Sequence, residues 1–126
     1  MTRTAPENPI ILIPARLAAT RLPGKPLADI AGTPMIVHVW RRAVAAEIGP
    51  VVVACGDRAI ADAIESAGGC AVMTDPHHPT GSDRIHEAIR RIDPGRQHDA
   101  VVNVQGDLPL LDPAAIQIAV AVLADP

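Results

Sequence analysis

The sequence predicts an α/β fold, a mainly parallel sheet with helices on both faces, and three observations predict it. Four runs, Ile10 to Ile13, Val51 to Cys55, Cys70 to Thr74 and Ala100 to Val104, are nearly all apolar without polar alternation, the pattern of strands buried on both faces. Between them lie helical segments of ten or so residues. Gly, Pro or Asp marks the junctions, so strand and helix alternate, an order that implies right-handed crossovers and a parallel sheet.

In chain order, the strand at Ile10 passes abruptly into a cationic loop, so that IILIPARLAATRLPGKP runs from Ile10 to Pro26. Leu27 to Ile30 is a short apolar segment, after which Gly32, Thr33 and Pro34 supply turn, N-cap and first helical position. A helix follows from Met35 to Ala46. Its apolar stripe is Ile36, Val39, Trp40, Ala43 and Val44, and Arg41 and Arg42 lie off it, complementing the helix dipole. After the second strand, Gly56 and Asp57 lead into a helix from Arg58 to Ala67 that Gly68 and Gly69 terminate. The third strand ends in the loop DPHHPTG, Asp75 to Gly81, and Ser82 is the expected N-cap of a helix reaching Ile92. Asp93, Pro94 and Gly95 form a turn, the fourth strand ends in Gln105, Gly106 and Asp107, and Asp112 with Pro113 caps an Ala-rich helix running to about Leu123.

The 126 residues, a length for one domain, make a core without help from disulfide or metal. That core is aliphatic: 48% of residues are apolar, yet there is one Trp and no Phe or Tyr. Aromatic platforms for stacking bases are missing, and a net charge of −3 does not suit a protein that covers nucleic acid. Cys55 and Cys70 fall at opposite ends of their strands, too far apart for a disulfide, and read as reduced, buried thiols. No apolar run approaches a membrane span and Met1 to Pro9 lacks the core of a signal peptide, which places the expected protein in the cytoplasm.

Ligands of such sheets sit outside the carboxyl ends of the strands. The loops at that edge are Pro14 to Pro26, Gly56 and Asp57, Asp75 to Gly81, and Gln105 to Leu108. The first carries Arg16, Arg21 and Lys25 among Pro14, Pro23, Gly24 and Pro26, three fixed charges on a restricted backbone. It has neither P-loop nor dinucleotide spacing, but Arg grips phosphate through paired bonds and Lys follows charge onto a leaving group, so the loop suits a polyphosphate. A solvated basic loop is the bland alternative. Asp107, at a strand tip facing that loop, is placed to hold Mg²⁺ against phosphate oxygens, or simply to form a turn. Thr80 to Arg84, TGSDR, opens a helix whose free N–H groups and Arg84 suit hydroxyls or an anion. His77 and His78 are expected to be exposed, the remaining histidines receive no role, and no nucleophile set has a signature.

Taken together, Leu12 to Arg16, Thr20 to Leu27 (TRLPGKPL), Gly32 to Val39 (GTPMIVHV), Thr80 to Arg84 and Val101 to Asp107 (VVNVQGD) resemble the N-terminal half of the 3-deoxy-manno-octulosonate (Kdo) cytidylyltransferases, the CMP-Kdo synthetases of lipopolysaccharide biosynthesis. The resemblance implies a Rossmann-like nucleotidyltransferase fold, with residues 1–126 a single nucleotide-binding domain or half-domain. It also implies transfer of CMP from CTP to Kdo with Mg²⁺ and release of pyrophosphate. By position, Arg16, Arg21 and Lys25 would bind the triphosphate, backbone at Pro14 and Ala15 would read cytosine, Ser82 and Arg84 would contact the nucleotide, Gln105 would lie near nucleotide and sugar, and Asp107 would hold Mg²⁺. Arg16, Lys25 and Asp107 would carry the catalysis. Leu108 stands where the family pattern has Glu, and Gly56 where an Asp usually ends the strand. Family members are about twice as long. Their second half brings another metal-binding Asp, most of the Kdo pocket and much of a homodimer interface, so this chain is expected to be truncated and to turn over little alone. A cytidylyltransferase for another acid sugar of sialic acid type, and a non-catalytic nucleotide-binding or partner-docking module, are the alternatives. An open sheet edge with uncovered apolar surface is expected to self-associate.

Overall fold

The computed structural model describes residues 8–17, 25–105 and 112–122. Four parallel strands form the sheet: β1 (Pro9–Ala15), β4 (Val51–Cys55), β5 (Cys70–Met73) and β6 (Ala100–Asn103), in the order β5-β4-β1-β6. β1 is central, flanked by β4 and β6. Ile11 pairs with Val51 on one side and with Val102 on the other. The first two crossovers step outward from β1 to β4 to β5, and the third returns past both to β6. The direction of winding therefore reverses between β1 and β6, which makes their carboxyl ends the switch point where a ligand crevice opens.

Alternate residues of the central strands fill two separate cores. Ile11, Ile13, Val53 and Cys55 face helices α1 (Met35–Ala45), α2 (Arg58–Ser66) and α4 (Pro113–Val122), joining Ile36, Val39, Ile60, Ile64 and Ile116. Ile10, Leu12, Val52 and Ala54 face the other way, onto Ile85 and Ala88 of α3 (Gly81–Ile92). Helices thus cover both faces, as the apolar strands require. The central strands are buried but for Pro14 and Val51, which are half-buried, whereas β5 and β6 are edges. Val101, level with Ile10 on the α3 face, is 42% exposed because one helix does not cover that outer strand, and Met73, level with Cys55 on the opposite face, is 37% exposed at the end of the β5 edge. Cys70, at the start of the β5 edge, is exposed, which corrects the expectation of two buried thiols. Both are free, since Cys70 pairs with Val52 and Cys55 with Met73, three positions apart and therefore on opposite faces.

Two junctions differ from expectation. Between Leu27 and α1 the chain makes an antiparallel hairpin, β2 (Asp29–Ile30) with β3 (Thr33–Pro34), turned by Ala31 at φ 53° and Gly32 at φ 85°. Two successive positive φ angles are what a tight two-residue hairpin turn demands. Thr33, spent on pairing with Ile30, is not the N-cap of α1. Pro34 holds that position without a side-chain bond, and the Met35 N–H is satisfied by the Ala28 carbonyl (2.9 Å). Val44, assigned to the stripe, is 45% exposed, while Met35 and Val37 are buried instead. In α3 the cap is Thr80 rather than Ser82: the Thr80 hydroxyl accepts the Asp83 N–H (3.1 Å) and donates to the Asp83 carboxylate (2.8 Å). Ser82 is exposed at the second helical position.

The end of α2 follows the reading. Gly68, at φ 93°, lets its N–H reach the Glu65 carbonyl (3.0 Å) and the Gly69 N–H reach Ile64 (2.9 Å), the paired bonds of a Schellman stop. Asp112 caps α4 through the Ala114 N–H (2.9 Å). Gln117 ties that helix to the Ala46 carbonyl at the end of α1 (2.9 Å). No helix among the described residues is long and apolar enough to cross a membrane.

Candidate functional site

At the carboxyl edge, the ladder continues one bond beyond each strand. The Gly56 N–H reaches the Ala15 carbonyl (3.1 Å), Thr74 N–H the Cys55 carbonyl (2.8 Å) and Val104 N–H the Leu12 carbonyl (3.1 Å). These bonds set the starting points of the loops. Pro14 and Arg16 are half-buried where β1 ends, with Ala15 buried between them. Asn103 pairs with Leu12, so the exposed Gln105, two residues on, comes level with Pro14 across the switch point. The next residue of the first loop is anchored too: the Leu17 N–H donates to the Asp57 carboxylate at 2.7 Å, so the second loop holds the start of the first.

The N-terminus of α3 enters the same edge. A Cβ on Gly81 would lie 3.1 Å from Pro14 Cγ, so a bare backbone there lets the helix start close against the end of β1. Arg84, one turn on, is only 2% exposed. Its Nη1 donates to the Thr74 hydroxyl oxygen and to the Asp75 carbonyl (3.1 Å), and its Nη2 to the Pro76 carbonyl (3.4 Å). Thr74, itself buried, passes its own proton to the Cys55 carbonyl (3.0 Å). Burial, and after it the positive charge of Arg16, hold Arg84 below the usual guanidinium range, while Asp57, Cys55 and Glu87 act in the opposite direction. The charges of Arg16 and Arg84 therefore oppose one another along the carboxyl edge. An anion between or beside them relieves their repulsion.

Gly56 belongs to this packing: a Cβ there would meet Arg84 Nη1 at 2.8 Å and Pro76 Cα at 3.0 Å. The Gly that departs from the family pattern thus sits under a buried guanidinium. Burial raises the Cys55 thiol above its ordinary value and keeps it protonated, facing the Val72 carbonyl at 3.6 Å.

Of the residues singled out in the sequence, the fold brings Pro14, Ala15, Arg16, Ser82, Arg84 and Gln105 to one edge. Lys25 opens a single 3-10 turn, Lys25–Leu27. Arg21 and Asp107 lie outside the described residues. Sequence reasoning missed Thr74 and Glu87, and assigned His78 to solvent. His78 is instead 22% exposed, 2.6 Å from Glu87, while His77 is exposed. The Glu87 carboxylate also accepts the Asp75 N–H (2.9 Å), a bond that no spacing announces.

A family model described as cytidylyltransferase matches residues 10–126. The chain belongs to the cytidylyltransferase family. Among named members, the 3-deoxy-manno-octulosonate cytidylyltransferase of Rhodospirillum centenum is 67% identical over 122 residues, 97% of this chain and 48% of that protein. The enzyme of the same name from Methylorubrum populi is 71% identical over 120 residues, 95% of this chain and 49% of that one. A solved structure of CMP:2-keto-3-deoxy-manno-octonic acid synthetase complexed with CTP superposes with a TM-score of 0.85 at 38% identity, covering 93% of this chain and 47% of that one. This cytidylyltransferase chain spans about half the length of the relatives it matches.

Proposed function

We propose that the chain is the nucleotide half of a 3-deoxy-manno-octulosonate cytidylyltransferase and that its carboxyl edge binds CTP. The observation that carries this reading is that Pro14 to Arg16 meet the start of α3 at the carboxyl edge, with Gln105 on one side of β1 and buried Arg84 on the other. A structural relative that binds CTP supports the nucleotide. The names of the most similar relatives favour Kdo over a sialic acid.

On this reading Arg16, Arg21 and Lys25 hold the triphosphate, backbone at Pro14 and Ala15 reads cytosine, Ser82 and Arg84 contact the nucleotide, and Gln105 lies between nucleotide and sugar. The anomeric 2-hydroxyl oxygen of Kdo attacks the α-phosphorus and releases its proton to water. The bond from that phosphorus to the bridging oxygen of pyrophosphate breaks, giving CMP-Kdo and pyrophosphate. Positioning and charge stabilisation carry the catalysis. A nucleotide-bound Mg²⁺ needs only one or two protein carboxylates besides phosphate oxygens. Asp107, at the end of the fourth strand, is the residue that would hold the ion. Mg²⁺ would neutralise charge on the triphosphate. The intact enzyme is a cytoplasmic homodimer serving lipopolysaccharide biosynthesis, and Kdo binds mainly through its other half.

Two assays test the reading. Mg²⁺-dependent CTP binding by this chain is measured calorimetrically, with loss in Arg16→Ala expected. A full-length relative is offered Kdo and sialic acid side by side, and preference for sialic acid overturns the acceptor.

A further inference from the structure

The loop from Thr74 to Thr80 has no regular structure, yet α3 grips it from two sides. Arg84 takes its oxygens, as above. Glu87, one turn further along the same helix, takes its donors: Oε1 accepts the Asp75 N–H (2.9 Å) and lies 2.6 Å from His78 Nε2. Oε2 accepts from Arg91 Nε (2.6 Å), which orients the carboxylate. Asp75 is thus fixed at its N–H by Glu87 and at its carbonyl by Arg84. The Glu87 side chain is 20% exposed and borders a groove of about 550 Å³ that is also lined by His78, Asp83, His86, Arg90 and Arg91.

We propose that Glu87 is a positioning residue of the nucleotide site: with His78 it latches the 74–80 loop onto α3 and so holds Thr80, Gly81 and Arg84 in register with Pro14 and Arg16. This role rests on the CTP reading. Glu87 touches no substrate, and it acts by keeping the loop from sliding under the buried guanidinium. Arg84 bonds only oxygens of the loop, so the Asp75 N–H and the His78 ring depend on Glu87 for their hold on α3.

The test combines amide hydrogen exchange with calorimetric Mg²⁺·CTP titration of the parent chain, Glu87→Ala, Glu87→Gln, His78→Ala and Arg91→Ala. Glu87→Ala is expected to speed exchange of the Asp75 amide and its loop neighbours, leave amides of β1 and β4 unchanged, and weaken CTP by roughly tenfold, about 1.4 kcal/mol. Glu87→Gln, which keeps one acceptor for Asp75, restores part of that affinity. Arg91→Ala, which removes the bond that orients the carboxylate but leaves both loop bonds in place, is expected to weaken CTP by less than Glu87→Ala. If Glu87→Ala does not fold, His78→Ala carries the test with the same loop loosening and a smaller affinity loss. Unchanged loop exchange overturns the latch. A loosened loop with parental CTP affinity overturns the positioning role alone. A parent chain that binds no CTP overturns the nucleotide reading and this role with it.

Discussion

Arg84 shows how much one side chain does here. A guanidinium is buried only when its donors are taken, and three of its bonds go to Thr74, Asp75 and Pro76. Arg84→Leu leaves those acceptors unpaired in a buried place and should cost about 2–3 kcal/mol in urea unfolding. Gly56→Ala pushes a methyl group to 2.8 Å from that guanidinium and 3.0 Å from the Pro76 backbone, which cannot swing aside. About 1–3 kcal/mol of destabilisation is expected, read from the same denaturation curves. Glu87 adds a pH dependence. The Asp75 N–H, and after it His78 and Arg91, depress its pKa from 4.5 to about 2. A depressed acid contributes stability that is full above the unfolded value and fades as pH falls from about 4.5 towards about 2. The stability gap between the parent and Glu87→Gln should therefore shrink across that window in acid unfolding, whereas a constant gap contradicts the latch.

At the scale of elements, the caps divide what composition shows from what geometry decides. TGSDR announces a helix start, but Thr80 and Ser82 are equally good caps by residue type. The choice falls to Thr80 because Gly81 lies against Pro14, which places the first helical turn two residues earlier. Thr80→Ala should cost about 1 kcal/mol of stability, while Ser82→Ala stays within about 0.5 kcal/mol, by thermal or urea unfolding. The four sheet strands and four helices were legible because an apolar run or a helical stripe extends over many residues. The hairpin Asp29 to Pro34 was not, since strands of two residues carry no period and Ala31-Gly32 is not a common turn pair. The uneven burial of β5 and β6 was likewise hidden, because apolar composition cannot say which strand is an edge. Gly56, read from the sequence only as a departure from a pattern, acquires its reason from Arg84 above it.

For the whole molecule, the order β5-β4-β1-β6 places the Arg16 end of β1 and the Gln105 end of β6 side by side at a crevice that the winding creates. The proposed nucleotide site lies along that carboxyl edge. Because the chain spans about half of its relatives, CTP binding and turnover are separate claims. On the nucleotide-half reading it binds Mg²⁺·CTP while releasing little or no pyrophosphate with Kdo, and a pyrophosphate-release assay checks the second part. The first part is the central claim. Calorimetric titration of Mg²⁺·CTP into the chain, Arg16→Ala and Lys25→Ala tests it most directly. Saturable binding by the parent is predicted, weakened at least roughly tenfold in each variant by loss of a charge-assisted phosphate bond, with melting temperatures held near the parent's. No binding by the folded parent, or equal binding by all three, would contradict it.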